Sequence, residues 1–437
     1  MRFVLWLRRK LMDCLKLPSS LQRFSRNGKI VLINPEVPAW IVTNEVGEAI
    51  MSLFDGEHTI AEVVEISTEA LGVDKRKRIE IFVDYAVNSR LFDTHPQEAP
   101  HRQELSNVHL TLTNLCNLRC KYCYAAERRE TAESLLTLDD YQHLIDDICD
   151  INPQVGFSLT GGEPLLNANF FDIARMIKRR GNYVMVLSNG TLFSSDKCRE
   201  MKGLVDLVTL SIDGSTAESH GRTRGDNYNK VISAIDLLEH YGIDYTLSMT
   251  VTRLNTDQVE PLAKRYGRRL TFQPLFPVSD VAESTLAISG DEYYRVLKAA
   301  AGVNPLAYCE SSLKASRRSP CYKCAIADGE FSIAPNGDVY PCQLLHLPQY
   351  LCGNVKNQSI AEIYNRSEVM RQLRRLTVDA IDKCRGCAIK YICGGACRAR
   401  NHYVSGDITR PGDFCNYEFE AYLDGITTIQ CCDLIGD

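Results

Sequence analysis

The stretch TNLCNLRCKYCYA, Thr113 to Ala125, sets Cys116, Cys120 and Cys123 in C-x3-C-x2-C spacing, with Tyr122 just before the last thiol. A structural zinc site closes with four ligands, usually delivered as two C-x2-C pairs. Three thiols in one loop leave a position open. A cubane of four irons held by three cysteines keeps one iron free for a small molecule. On spacing alone the loop suits such a cluster, and zinc or buried thiols remain the alternatives.

The run VHLTLT leads straight into that loop. Five more strand-like runs follow before about Pro277: VGFSL, YVMVLS, DLVTLSI, DYTLSMTV and LTFQPL. Helical periodicity fills the gaps, as in DDYQHLIDDICD and NKVISAIDLLEHYG. Six βα units in a row predict a parallel sheet, either open and doubly wound or curled into a partial barrel, with ligands at the carboxyl ends of its strands. The chemistry falls at such ends. TGGEP (Thr160 to Pro164) follows the second strand, LSNGT (Leu187 to Thr191) the third and LSIDG (Leu210 to Gly214) the fourth, and HGRTRG then adds Arg222 and Arg224.

Together these motifs resemble the radical SAM superfamily. The resemblance implies a partial (β/α)6 TIM-like barrel and a 4Fe-4S cluster on Cys116, Cys120 and Cys123. It implies that S-adenosylmethionine chelates the open iron and is cleaved by one electron to methionine and a 5'-deoxyadenosyl radical, which takes a hydrogen atom from the substrate. By the same resemblance Gly161, Gly162 and Glu163 hold the methionyl ammonium, and Ser188 and Asn189 meet the ribose hydroxyls. Ser211 and Asp213 are similarly placed, Tyr122 packs near adenine through its backbone, and Arg224, rather than Arg222, pairs with the methionyl carboxylate.

Beyond about Cys309 thiols crowd the chain and clear periodicity fades, so metal-thiolate bonds are expected to order it. Cys324 is followed at fixed spacing by Gly337 and Cys342; Cys384, Cys387, Cys393 and Cys397 then run C-x2-C-x5-C-x3-C, with Cys415 beyond. Zinc ribbons share the C-x2-C pairs. The whole pattern resembles the SPASM domain, placed over 306–437, which implies two auxiliary 4Fe-4S clusters and three in all. The resemblance gives Cys324, Cys342 and Cys397 to the first auxiliary cluster, with Cys321 as fourth ligand and Cys309 in reserve. It gives Cys384, Cys387, Cys393 and Cys415 to the second. Cys14, Cys149, Cys198, Cys352, Cys431 and Cys432 have no partners at metal spacing and read as packing or exposed thiols.

The barrel is placed over 105–305. Ahead of it, residues 27–93 carry the strand-like KIVLIN and AWIVT and then helices, with Asn44 as a cap and Ile79, Phe82, Val83, Ala86 and Val87 at helical spacing. This segment resembles the winged-helix-like peptide recognition element of ribosomal-peptide maturases, akin to the small chaperone of pyrroloquinoline quinone biosynthesis. The resemblance implies a precursor leader bound as an added strand. Residues 1–26 read as a short amphipathic N-terminal helix; Arg8, Arg9 and Lys10 break its apolar stretch, so it fails as a secretory signal. Residues 94–104 read as a linker.

The bulk numbers agree with this frame. A chain of 437 residues exceeds one compact core. Net charge of -5 offers no reason for a nucleic-acid partner. No apolar run reaches the ~18 residues of a membrane span, and a cytoplasmic location is expected. In that reducing setting 18 cysteines point to metal rather than disulfides.

The expected function is a radical SAM peptide maturase that installs a thioether between a cysteine sulfur and an acceptor carbon of a precursor peptide, with a flavodoxin or ferredoxin as electron donor. Carbon-carbon crosslinking needs the same parts. Formylglycine formation of the sulfatase-maturing kind is disfavoured, since Gln343 stands where that branch has an aspartate. A zinc-binding peptide scaffold leaves Gly161 to Glu163 and Arg224 unexplained, and a small-molecule enzyme leaves residues 27–93 as structure only.

Overall fold

The computed structural model describes residues 13–94, 103–128, 135–278, 285–300, 320–412 and 414–429. The first strands are β1 (Cys14–Lys16), β2 (Gln22–Arg26), β3 (Lys29–Asn34), β4 (Ala39–Thr43) and β5 (Asp55–Thr59). KIVLIN and AWIVT are β3 and β4, as the sequence predicts. Asn44 caps the following helix by accepting from the Gly47 N–H at 2.9 Å. Ile79, Phe82, Val83 and Ala86 form the buried stripe of the helix Arg76–Asn88.

The expected N-terminal helix needs correction where it is described. Residues 1–12 lie outside the described residues, and between Cys14 and Arg26 the chain forms two strands joined by a turn. β1 pairs antiparallel with β5, and β2 pairs with β3. In QRFSR the side chains alternate, and Phe24 meets Phe419 edge-on at 5.6 Å. β2 and β3 form a hairpin closed by Asn27-Gly28, both at positive φ, a local turn signal that the helical reading passed over, whereas β1 finds its partner only in β5. The sheet order is β2-β3-β4. Ile30, Leu32 and Ile41 face the sheet's own helices, while Val31, Ile33, Trp40 and Val42 join the main core.

All six expected barrel strands are present: β6 (Asn107–Thr111), β7 (Gly156–Thr160), β8 (Val184–Ser188), β9 (Leu207–Ser211), β10 (Tyr245–Val251) and β11 (Leu270–Pro274). They pair in parallel and in sequence order from β6 to β11, which is the curled partial barrel rather than a doubly wound sheet. The sheet also continues past β6. β12 (Glu330–Ile333) pairs parallel with β6, followed antiparallel by β13 (Asp338–Tyr340) and β14 (Gly353–Asn354), making nine strands. The cysteine-rich region is thus welded to the barrel by backbone hydrogen bonds. It also holds more helix than its sequence suggests, ending in the helix Cys415–Ile429. Among the described residues no helix is long and apolar enough to cross a membrane.

Candidate active site

The cysteine loop leaves β6 and is clamped from three sides. The N–H groups of Gly162 and Glu163 donate to the carbonyls of Thr113 and Leu115, both at 2.8 Å. Asn117 donates to Thr191 Oγ1 at 2.7 Å and accepts from Asn189 Nδ2 at 2.9 Å. Lys121 N donates to the Thr223 carbonyl at 3.0 Å, tying the loop to the helix Ala217–Arg224. A cavity of about 710 Å³ opens beside it. Cys116, Cys120, Tyr122, Cys123, Gly161, Gly162, Ser188, Asn189, Ser211 and Arg224 all line this cavity, so ten of the expected residues meet there.

Glu163 and Asp213 do not. Glu163 is fully buried; its carboxylate accepts from Ser188 Oγ at 2.9 Å, Asn189 N at 2.9 Å and Leu165 N at 3.3 Å. Burial raises its pKa against the pull of those donors. It fastens the β7 loop to the β8 loop. Asp213 accepts from Tyr122 Oη at 2.5 Å, Thr223 Oγ1 at 2.8 Å and Thr250 N at 3.2 Å. The glycines allow a close approach of the β7 loop to the cysteine loop. A Cβ on Gly161 would stand 2.4 Å from the Thr113 carbonyl oxygen, and one on Gly162 2.2 Å from that of Leu115.

Tyr122 and Arg224 form one unit. Arg224 Nη1 donates to Tyr122 Oη at 2.6 Å while its Nε has no hydrogen-bond partner. Burial works against its charge, but Tyr122, Cys120 and Asp213 hold its pKa above the ordinary value. A buried cation with a spare donor, facing the thiols, suits a carboxylate. Arg222 is instead an outer residue paired with Asp257 at 3.1 Å.

The cavity extends to the C-terminal thiols, and Cys397 and Cys415 line it too. Cys324, raised by burial to about 12, and Cys342, raised by burial well above the ordinary thiol value, both feel the Cys397 thiol. Cys384, raised by burial to about 11, feels Cys387 and Cys415, and buried Cys393 feels Cys387. Cys324 and Cys342 thus lie near Cys397, and Cys384 and Cys393 near Cys387. Cys321 packs into the loop after Cys393, where a Cβ on Gly394 would lie 2.5 Å from its sulfur. Cys309, Cys431 and Cys432 fall outside the described residues. No described cysteine is in a disulfide. Buried thiols resist ionising without a nearby cation, and iron would supply one, so these donor sets fit clusters. Among the described residues no three His, Cys, Asp or Glu side chains converge on a single metal ion.

Cys149 and Cys198 are buried packing thiols, and Cys14 is exposed. Sequence reading missed Glu418, the one carboxylate among the described residues lining the cavity, which burial lifts to about 7. Its only sequence signal is its place one helical turn beyond Cys415. Gln343 also lines the cavity, with Oε1 unpartnered.

A curled parallel sheet with an under-ligated thiol loop at its carboxyl end, and further thiol sets across the same cavity, defines an iron–sulfur α/β enzyme. Residues 110–265 match the radical SAM superfamily and residues 321–388 match SPASM, the iron-sulfur cluster-binding domain. The chain thus carries a radical SAM domain and a SPASM domain, and is an enzyme of that class. The AdoMet-dependent heme synthase of Methanosarcina barkeri is 27% identical over 337 residues, covering 70% of this chain and 95% of its own. The AdoMet-bound structure of native anSMEcpe covers 74% of this chain and 99% of its own at 18% identity, with a TM-score of 0.62. Streptococcus suis SuiB bound to its precursor peptide SuiA covers 92% of this chain and 99% of its own at 15% identity, with a TM-score of 0.56. At these identities the structures establish a shared fold.

Proposed function

We propose that the protein modifies a ribosomally made precursor peptide, joining a peptide cysteine sulfur to an acceptor carbon as a thioether. The observation that carries this reading is the outer edge of β2, which has no backbone partner among the described residues. β2 is also tied to the helix Cys415–Ile429, because Arg26 pairs with Glu420 and, at 3.0 Å, with Asp424. A leader added at that edge would lie beside the helix whose Cys415, Tyr417 and Glu418 line the cavity. SuiB, of similar fold over nearly the whole chain, is bound to a precursor peptide.

Cys116, Cys120 and Cys123 would hold the first cluster; Cys321, Cys324, Cys342 and Cys397, and Cys384, Cys387, Cys393 and Cys415, would hold two more. When bound, the first supplies the electron that cleaves S-adenosylmethionine to methionine and a 5'-deoxyadenosyl radical, and the others accept the electron the peptide gives up. Arg224 pairs with the methionyl carboxylate. Ser188, Asn189 and Ser211 face the sugar, and Glu163 and Asp213 hold the surrounding loops and Tyr122 in place. Forming a thioether removes one hydrogen atom, one proton and one electron from the peptide, and Glu418 is the carboxylate placed to take the proton.

The test is anaerobic incubation of the reduced holoenzyme, S-adenosylmethionine and short peptides encoded beside its gene, read by mass spectrometry. A loss of two hydrogens per link, mapped to cysteine, supports the thioether; the same loss in a cysteine-free peptide would assign a carbon-carbon link. Cys116→Ala should abolish S-adenosylmethionine cleavage, while Cys393→Ala keeps cleavage and loses peptide product. A second reading, action on a free small molecule, draws on the name of the heme synthase relative. It predicts that no such peptide binds.

A further inference from the structure

Arg398 has the largest side chain among the fully buried ones, 1% exposed, and nothing in the chemistry above uses it. Its charge breaks three rules at once. It is taken out of water, where an unpaired ion is costly. Among the described residues no carboxylate forms an ion pair with it; its Nη1 and Nη2 donate only to the carbonyls of Gly395 and Gly394, at 3.2 and 3.4 Å, and Nε has no partner. It also occupies the first turn of the helix Arg398–Ser405, the end where the helix dipole repels a cation.

The missing negative charge is visible in what surrounds it. The thiols that act on Arg398 are Cys324 and Cys397 from one set and Cys384 and Cys393 from the other. Cys321 feels it as well. The loop Cys393 to Cys397 folds around the guanidinium so closely that a Cβ on Gly395 would lie 2.6 Å from Nη2. A guanidinium cannot lose its proton in a protein, so this is a permanent positive charge between the two thiol sets.

We propose that Arg398 is the shared counter-cation of the two auxiliary clusters, stabilising the reduced, more negative state of both and so setting the potential at which the pair accepts electrons. This rests on the two-cluster assignment made above. Arg398 is a positioning residue for charge: it reaches the peptide only through the centres it flanks.

The test is an electron paramagnetic resonance redox titration of anaerobically reconstituted holoenzyme, with iron counted per chain. Arg398→Gln should lower the equilibrium constant for reducing each auxiliary cluster tenfold or more, about 59 mV per electron, and leave the Cys116 cluster unmoved. Arg398→Lys, which keeps the charge, should fall between the Gln variant and the unaltered enzyme. Full iron with unmoved potentials, a shift in only one auxiliary cluster, or equal shifts in the Gln and Lys variants would each overturn the proposal. If the Gln variant fails to load its auxiliary iron, Arg398→Met takes its place; loss of that iron from both would assign Arg398 a purely structural role and overturn the proposal. Unaltered enzyme holding well under about twelve irons would refute the two-cluster assignment itself.

Discussion

Gly162→Ala adds one methyl group at a backbone conformation open to any residue, so its effect comes from contact alone. The new Cβ would sit 2.2 Å from the Leu115 carbonyl oxygen, 2.5 Å from its carbon and 2.7 Å from the Asn114 carbonyl oxygen. All three are backbone atoms of the cysteine loop and cannot swing away as a side-chain tip would. Relief requires the β7 loop and the cysteine loop to part by roughly 1 Å, about the scale at which overpacked sites must shift backbone. That movement stretches the two 2.8 Å bonds, Gly162 N to Thr113 O and Glu163 N to Leu115 O, past useful length. Two backbone hydrogen bonds at about 1 kcal/mol each, with an overpacking cost of about 1–3 kcal/mol, give about 3–5 kcal/mol. Gly221→Ala is the control: its helix Ala217–Arg224 leaves open space at that position, and the change should be neutral or stabilise by up to about 1 kcal/mol. Thermal unfolding of anaerobic protein should show the barrel transition roughly 10 °C lower for Gly162→Ala, with loss of the first cluster's iron and of S-adenosylmethionine cleavage. Unfolding and cleavage equal to those of Gly221→Ala would refute the reasoning.

Three further outcomes follow from the site. Tyr122→Phe removes the hydroxyl shared by Arg224 and Asp213, so affinity for S-adenosylmethionine should fall about tenfold by calorimetry, for a loss of about 1.4 kcal/mol; unchanged affinity would leave the pair without a binding role. Cys321→Ala should cost the first auxiliary cluster while the other two remain, and full iron content would move the fourth ligand elsewhere. Because burial raises the Glu418 carboxyl to about 7, folding favours its neutral form. Its stabilising effect is therefore complete below the ordinary carboxylate range and lost as pH rises through about 7. Between pH 6 and 8 the unaltered protein should lose about 1.4 kcal/mol more stability than Glu418→Gln in denaturant titrations. The same variant should keep S-adenosylmethionine cleavage and slow peptide product.

The C-x3-C-x2-C loop, the six strand-like runs and the C-terminal thiol spacing carried the superfamily resemblance, the parallel sheet and the cluster-forming chemistry in the sequence itself, while the strand order decided that the sheet curls. They do so because ligand spacing and strand periodicity are local, written into residues a few positions apart. The capping by Asn44 and the stripe Ile79, Phe82, Val83 and Ala86 were legible for the same reason. What tertiary structure alone decided was direction. Glu163 and Asp213 sit at strand ends, where ligand-binding residues belong, yet both turn inward to tie neighbouring loops. β1 became a strand through β5, and Arg398 gained Cys324 and Cys384 as neighbours only when those thiols folded against its own loop. Where a side chain ends up, and what charge it meets there, depends on contacts between residues well separated in sequence, and no short-range pattern encodes those.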